Sequence, residues 1–437
     1  MKIIVLAAGE GKRMWPIQTD KCLIPFLGQP LLYHNLKKIK ENLDGEFVII
    51  ASSRNQDGVE SVARNLGLSY KIVIQKNPTG MADALLSAKE ELDGEILVVN
   101  AEDVLDQSVY QGILKVSADV VVTGLKVKKY FPGGYLRLDG NSSSTSLRNG
   151  KVKGIVEKPG KGKEPSDLVK LVVDCFKDGK LLVSYLEKVS SEKDDRYEVA
   201  LDQMIKDKID LRFVNYDGAW VPLKYPWHIL DTAAYLLSKL KRRISKTAKI
   251  SDKAIIEGNI VVEDGVKIFE GAIVKGPAFI GKNCIIGNNS FVRESILEKD
   301  CVTGFNSDIT RSYIGADSWF HTNYVGDSVL EGDFGMGSGA VLANLRLDNR
   351  TIRIGKEKID SSRHKLGLIC GFGVRIGVNA STMPGVRIGE NSLVGPGVVL
   401  KKDLKENQKI TIKENSYETR NYEVIPTSYD QFRDKLE

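Results

Sequence analysis

The chain lacks the marks of several protein classes. Its five cysteines, at 22, 175, 284, 301 and 370, include no C-x-x-C pair. That argues against a zinc site or a disulfide framework and predicts a reduced, cytoplasmic setting. No apolar run reaches the roughly 18 residues a spanning helix needs, and no apolar leader precedes a cleavage site, so neither a membrane segment nor secretion is expected. A net charge of +6 over 437 residues is small and spread along the chain. This excludes a nucleic-acid stripe and fits a solvated surface meeting small anionic substrates. The G-K-[ST] of a P-loop is missing, as is the third glycine of the dinucleotide fingerprint. Only four histidines occur, so one inside a motif carries weight. Apolar and charged contents of 42% and 27% are those of an ordinary globular chain, long enough for two or three domains.

The stretch that organises the rest is the opening, Met1 to Pro16, followed by Asp20 to Pro25. Ile3 to Ala8 has the length and β-branched content of a buried strand. It breaks into a loop with Gly9, Gly11, Lys12, Arg13 and Lys21. Glycines bring backbone N–H groups close to an anion, and the cations neutralise phosphate charge. The physical reading is a triphosphate cradle at the carboxyl end of the first strand of an open α/β sheet. Strand-like segments at 47–51, 71–75 and 95–100 alternate with helical spacing at 31–43, 59–66 and 80–92. This predicts a mostly parallel sheet with helices on both faces over residues 1–228. Residues 229–247 read as a connecting segment, with an amphipathic helix from Ile229 to Ile244.

The second half has a period of six. Ile250, Ile256, Val262, Ile268, Val274, Ile280, Ile286 and Val292 keep it without a break. It returns at Tyr324, Leu330, Met336 and Leu342, and again from Ile376 to Leu400. Hexapeptide repeats of this kind predict a parallel β-helix over 248–404, with the aliphatic residue of each repeat pointing inward. Residues 346–365 are polar, basic and out of phase, and are expected to be extruded. From 405 to 437 the repeat stops and leaves a charged, Tyr-rich tail.

The string L-A-A-G-x-G-x-R-M-x-P with D-K-x-L-I-P resembles the signature of the sugar-1-phosphate nucleotidylyltransferases. Joined to a hexapeptide prism, it is similar to the archaeal-type two-domain enzymes related to the bifunctional N-acetylglucosamine-1-phosphate uridylyltransferase/glucosamine-1-phosphate acetyltransferases. The resemblance spans about residues 1–404. It implies a Rossmann-like α/β nucleotidyltransferase domain and a left-handed parallel β-helix. It also implies Mg²⁺, UTP or dTTP and a sugar 1-phosphate in the first domain, acetyl-CoA in the second, and a homotrimer or a dimer of trimers. Carried over residue by residue, Ala8, Gly9, Gly11, Lys12, Arg13 and Lys21 hold the triphosphate, with Arg13 and Lys21 serving catalysis. Gln75 reads the nucleobase edge and Gly80 lies beside the base, in a Gly-Met-Ala-Asp string where Met81 departs from the family pattern. Gly134 lies near the sugar, and Glu157 and Lys158 belong to the E-K-P motif whose lysine meets the sugar phosphate.

Further departures concern the metal and the sugar. The strand-end metal aspartate is replaced by Asn100-Ala-Glu102-Asp103, so either Glu102 or, after a bulge, Asp103 takes its place. The sugar-contacting segments read Lys170 to Val172 and Glu198 to Leu201. The second metal carboxylate falls on Pro222, which has no ligand atom, with the cationic Lys224 two residues on. In the prism, His321-x-x-Tyr324-x-Gly-Asp327 matches the motif whose histidine is the general base for acetyl transfer; an imidazole titrating near 6.5 suits that task. Asn344 matches the residue that contacts the amino sugar and Arg293 one that meets its phosphate, while Gly335 stands where the family has an asparagine. His34 and His228 read as structural, while His364, between Arg363 and Lys365, reads either as part of a basic cluster for coenzyme A phosphates or a neighbouring subunit, or as a solvated loop residue. Three readings follow: a coupled nucleotidylyl- and acetyltransferase, an acetyltransferase with a retired front domain, and a non-catalytic regulatory subunit.

Overall fold

The computed structural model describes residues 1–77, 79–138, 149–413 and 416–423. Two compact units emerge. One comprises Met1–Glu10, Asp20–Leu23 and Pro30–Pro222; the other comprises Gly11–Thr19, Ile24–Gln29 and the chain from Leu223 onward.

The first unit is built on the opening strand, Lys2–Leu6, which runs parallel to Glu46–Ala51 on one side and to Ile96–Asn100 on the other. Ile3 and Val5 enter one hydrophobic core, Ile4 and Leu6 another. A strand buried on both faces is apolar throughout rather than alternating, as the opening run is. The full sheet has nine strands in the order Tyr70–Ile74, Glu46–Ala51, Lys2–Leu6, Ile96–Asn100, Leu168–Phe176, Val120–Lys126, Leu211–Tyr216, Asn149–Glu157, Gly134–Leu138. The first four are parallel. Beyond them the sheet is mixed, with Leu168–Phe176 antiparallel to both neighbours. The expectation of a mostly parallel sheet therefore fits the first half only. Among the described residues no helix intervenes between Val120–Lys126 and Leu168–Phe176, and a parallel pair needs a crossover of helical length. The expected helix at 80–92 is shorter, Met81–Ser87, followed by a 3₁₀ turn at Lys89–Glu91.

In the second unit, the helix expected to reach Ile244 ends at Ser238. Arg243–Ile244 is instead the first prism strand, paired with Val261–Val262. The cations at 239 and 241–243 offer no apolar stripe to extend a helix, and the strand ladder takes their backbone groups. Parallel coils then stack into three faces, two of them eight-stranded sheets. Ile268, Val274, Ile280, Ile286 and Val292 point into a continuous core. Asn283, Asn289, Asn379 and Asn391 turn corners with φ between 54° and 58°, a region asparagine tolerates better than most residues.

The register corrects one expectation. Ile268 pairs with Ile286 eighteen positions on, Val302 with Trp319 seventeen on, and Trp319 with Gly335 sixteen on. The shortened coils move the inward position from Tyr324 to Val325, which is fully buried in the core and pairs with inward Leu342. Tyr324 therefore faces outward. Residues 346–365 hold a hairpin of their own, Arg353–Ile354 against Ile359–Asp360, with Ile352 and Ile354 buried. After Leu404 the third face continues, since Gln408–Lys413 pairs with Leu393–Val394 and turns back into Ser416–Asn421. Residues 424–437 lie outside the described residues.

Candidate functional site

In the first unit the strand ends carry the opening motif. Ala8 is buried and Gly9 lies against Glu102; a Cβ added at Gly9 would stand 3.1 Å from Glu102 Oε1. The Lys21 ammonium forms an ion pair with Glu102, and both side chains are largely buried. Burial pushes the Glu102 carboxyl up, against the pull of Lys21. Asp103 is aimed elsewhere, since its Oδ2 accepts the Trp220 indole N–H at 3.1 Å. Trp220–Val221 pairs with Val104–Leu105, so Pro222 follows that short ladder directly. One buried carboxylate, Glu102, thus faces the strand ends, and among the described residues no group of three His, Cys, Asp or Glu could hold a metal unaided. Such a donor set fits a magnesium ion that arrives on a triphosphate, because Mg²⁺ takes one or two protein carboxylates and draws the rest of its shell from phosphate and water.

Gln75 is buried and its side-chain amide donates to the Gly80 carbonyl at 3.2 Å, which brings the two base-side residues together. Gly80 has φ 136°, and a Cβ there would lie 2.3 Å from Asp194 Oδ1, so only glycine fits. On the sugar side Gly134 pairs with Glu157, and Lys158 Nζ stands 2.9 Å from Glu157 Oε1.

Beneath lies a network that sequence reading found only in part. Lys170 Nζ is 2.5 Å from Asp174 Oδ2, and their side chains are 2% and 0% exposed. The Tyr197 hydroxyl donates to the same oxygen at 2.7 Å, and the Lys170 ammonium sits 4.9 Å over the Tyr197 ring. Glu198 is buried next to them; burial first, then Glu157, push its carboxyl up to about 7 although Lys170 pulls it down. Lys170 and Glu198 stood out as departures, but Asp174 and Tyr197 did not. Their signal was a lysine and an aspartate four apart in an otherwise apolar strand, Leu168–Phe176.

Gly11, Lys12 and Arg13 pack with the second unit. Gly11 turns with φ 65° and accepts Met14 N–H at 2.7 Å, Lys12 and Arg13 are exposed, and the Arg13 guanidinium lies 5.5 Å over the Tyr225 ring.

On the prism, Arg293 and Tyr324 sit on one outer face, in neighbouring coils around Asp308–Thr310. Arg311 forms a two-point pair with Asp327, both contacts at 2.8 Å, and Asn344 Nδ2 donates to Asp327 Oδ2 at 2.5 Å. Glycine at 326 leaves room for this, because a Cβ there would meet Asn344 Nδ2 at 2.4 Å and the Tyr324 hydroxyl at 2.6 Å. Tyr324 and Asn344 thus come together, along with Arg311, which no motif flagged. Asp308 faces Arg293 and Arg311 with one buried oxygen lacking a partner. His321 is exposed on the corner before Tyr324–Gly326; Asn323 Oδ1 accepts its backbone N–H at 2.7 Å and Ser307 donates to its carbonyl at 2.6 Å. His228 accepts Lys224 N–H at 3.2 Å, and His364 bonds the Asn349 carbonyl at 2.8 Å within residues 346–365.

Comparison with known proteins follows this division. The nucleotidyl transferase family matches residues 2–223, and six repeats of the bacterial transferase hexapeptide family match residues 367–402. A bifunctional sugar-1-phosphate nucleotidylyltransferase/acetyltransferase from Sulfurisphaera tokodaii is 29% identical, over 88% of this chain and 93% of its own. Proteins described as bifunctional protein GlmU, from Methanocaldococcus jannaschii and Methanococcus maripaludis strain C5, are 29% and 30% identical over 88% of this chain and 91% of theirs. Among the described residues no helix is long and apolar enough to cross a membrane.

Proposed function

This chain belongs to the nucleotidyl transferase family, with hexapeptide repeats in its second half, and from that premise we propose that its first half joins UTP or dTTP to a sugar 1-phosphate, while its prism acetylates an amino-sugar 1-phosphate from acetyl-CoA. The observation that carries the first reaction is the Lys21–Glu102 pair against Gly9 at the strand ends. A phosphate oxygen of the sugar 1-phosphate attacks the α-phosphorus, the bond to the β-phosphate breaks, and pyrophosphate leaves. Arg13 and Lys21 neutralise the triphosphate, Gln75 faces the base edge, and Lys158 holds the attacking phosphate beside Glu157. Glu102 would hold a Mg²⁺ that arrives with the triphosphate, and the ion would supply charge neutralisation. When triphosphate enters, Lys21 exchanges Glu102 for phosphate oxygens.

On the prism, His321 takes the proton of the sugar ammonium. The freed amine forms the N–C bond, the thioester C–S bond breaks, and coenzyme A leaves. Asn344, fixed by Asp327, orients the amine; Tyr324 and Arg293 hold the sugar phosphate. Hexapeptide prisms of this kind support a homotrimer, or a dimer of trimers, with acetyl-CoA bound between neighbours. The five cysteines are all free and buried, which suits the cytoplasm. A second reading, acetylation with a retired front domain or a regulatory subunit, is favoured by Pro222, which supplies no donor where the family has a metal carboxylate.

Calorimetric titration of UTP and dTTP against the parent and Lys21→Ala tests the nucleotide site. Loss of one charge-assisted phosphate contact is expected to cost about 1.5–3 kcal/mol. Equal affinities would make the opening motif a relic.

A further inference from the structure

The second unit contains a tether that the reactions above do not use. The outward residues of one prism face, among them Phe279, Tyr313, Val329 and Ile369, are buried. Segments 11–19 and 24–29 pack with this unit. Gly28 lies against Phe279, Phe26 packs on Tyr313 with ring centroids 5.4 Å apart, and the Tyr313 hydroxyl donates to the Pro25 carbonyl at 2.8 Å.

The tightest anchorage is at Glu331. Its Oε1 accepts Gln18 N–H at 2.9 Å, Thr19 N–H at 2.7 Å and the Thr19 hydroxyl at 2.7 Å, while Oε2 is buried without a partner. Glu298 repeats the device at the other segment, with Oε2 accepting Gly28 N–H at 3.0 Å and Oε1 buried and unpartnered. Trp15 adds a third point, its ring 4.5 Å under the Arg387 guanidinium and its indole N–H 3.4 Å from Glu406. A buried carboxylate costs several kcal/mol unless it is hydrogen-bonded. A surface loop would need no such partner, so the arrangement fixes one loop conformation at the expense of two orphan oxygens. What the loop carries is Arg13, five residues before Gln18, and Lys21 follows Thr19 by two.

We propose that Glu331 is a positioning residue for the loop that carries Arg13: the prism carboxylate fixes the backbone at 18 and 19, so a substitution at Glu331 loosens the loop and weakens triphosphate binding through Arg13. This rests on the nucleotidylyl-transfer reading above. Glu331 touches no substrate; it acts through the backbone at 18 and 19. Burial pushes its carboxyl up, against the pull of the donors at Thr19, Gln18 and Phe372.

The test uses the full chain with Glu331→Ala, Glu331→Gln and Thr19→Val. Two quantities are read: the rate of tryptic cleavage after Lys12 and Arg13, and the apparent affinity for UTP against the KM for the sugar phosphate. Glu331→Ala is expected to speed cleavage at least tenfold and to weaken UTP about tenfold or more, with the sugar phosphate KM unmoved, since it removes the charge-assisted hydrogen bonds that hold the loop backbone. Glu331→Gln keeps an acceptor for the two N–H groups and should fall between. Thr19→Val removes one donor from the loop side and should shift both readouts in the same direction by less. Parent-like cleavage in all three overturns the tether. Faster cleavage with unchanged UTP affinity overturns the positioning role. A parent that binds no nucleotide overturns the functional reading instead, and cleavage alone then decides the tether.

Discussion

The two halves hold their charges in opposite ways. In the first unit the charges are sunk under the candidate sugar site: Lys170, Asp174 and Tyr197 form a buried network that leaves Asp174 Oδ1 without a partner, and Glu198 beside it is pushed up to about 7. On the prism the charges stand on an outer face, where Arg311 clamps Asp327 and Asp327 fixes Asn344. The first arrangement is costly to break and sets shape; in the second Asp327 is buried while the Arg311 side chain stays 29% exposed. On the prism Asn344 is fixed by one neighbour, Asp327, whereas in the first unit Lys170, Asp174 and Tyr197 hold one another.

Breaking the prism side should have the largest effect. His321→Ala is expected to slow coenzyme A release from acetyl-CoA and glucosamine 1-phosphate by about 10²–10⁴-fold, the usual loss for a general base, with UTP affinity unchanged. Acetylation at the parent rate would place the base elsewhere. The buried side is tested by stability. Lys170→Met leaves Asp174 buried without its cation and should cost about 3–5 kcal/mol in denaturant unfolding, while Lys170→Met with Asp174→Leu should recover most of it, as replacing both partners of a buried pair does. A single variant as stable as the parent would mean the network carries no energy.

The smallest effect sharpens the comparison by pH. Each unit holds one carboxyl raised to about 7 by burial, Glu198 in the first and Glu298 in the second. A carboxyl raised in the folded state binds a proton that the unfolded chain has already lost. Stability should therefore fall as pH rises from the ordinary glutamate range to about 7, by at most about 1.4 kcal/mol per pH unit per group, and level off above. Glu198→Gln and Glu298→Gln should each flatten that slope. Slopes unaltered in both would show that neither group titrates there.

What the sequence made legible follows the same division. Period six announced the prism because each inward residue is set by its own coil. It failed at Tyr324, where coils shorten from eighteen to sixteen residues and hand the inward place to Val325. Arg311 was invisible for that reason, lying in the stretch where the phase is lost. In the first unit the motif residues Gly9 and Lys21 meet at Glu102, and Gln75 meets Gly80, each beside the end of a strand. The different surroundings of Glu102 and Asp103 were not legible, because they depend on Trp220, more than a hundred positions away, donating to the Asp103 carboxylate. Asp174 and Tyr197 likewise acquire meaning only when two distant segments meet.

The account turns on whether one carboxylate suffices at the strand ends. The direct measurement is pyrophosphate release from UTP or dTTP with a sugar 1-phosphate, followed across Mg²⁺ concentration for the parent, Glu102→Gln and Pro222→Asp. The account predicts a parent that turns over only at high Mg²⁺, a loss of about 10²–10³-fold in Glu102→Gln, the usual scale for removing one transition-state stabilising group, and a lower Mg²⁺ requirement in Pro222→Asp. Glu102→Gln releasing pyrophosphate at the parent rate, with the same Mg²⁺ dependence, would contradict it.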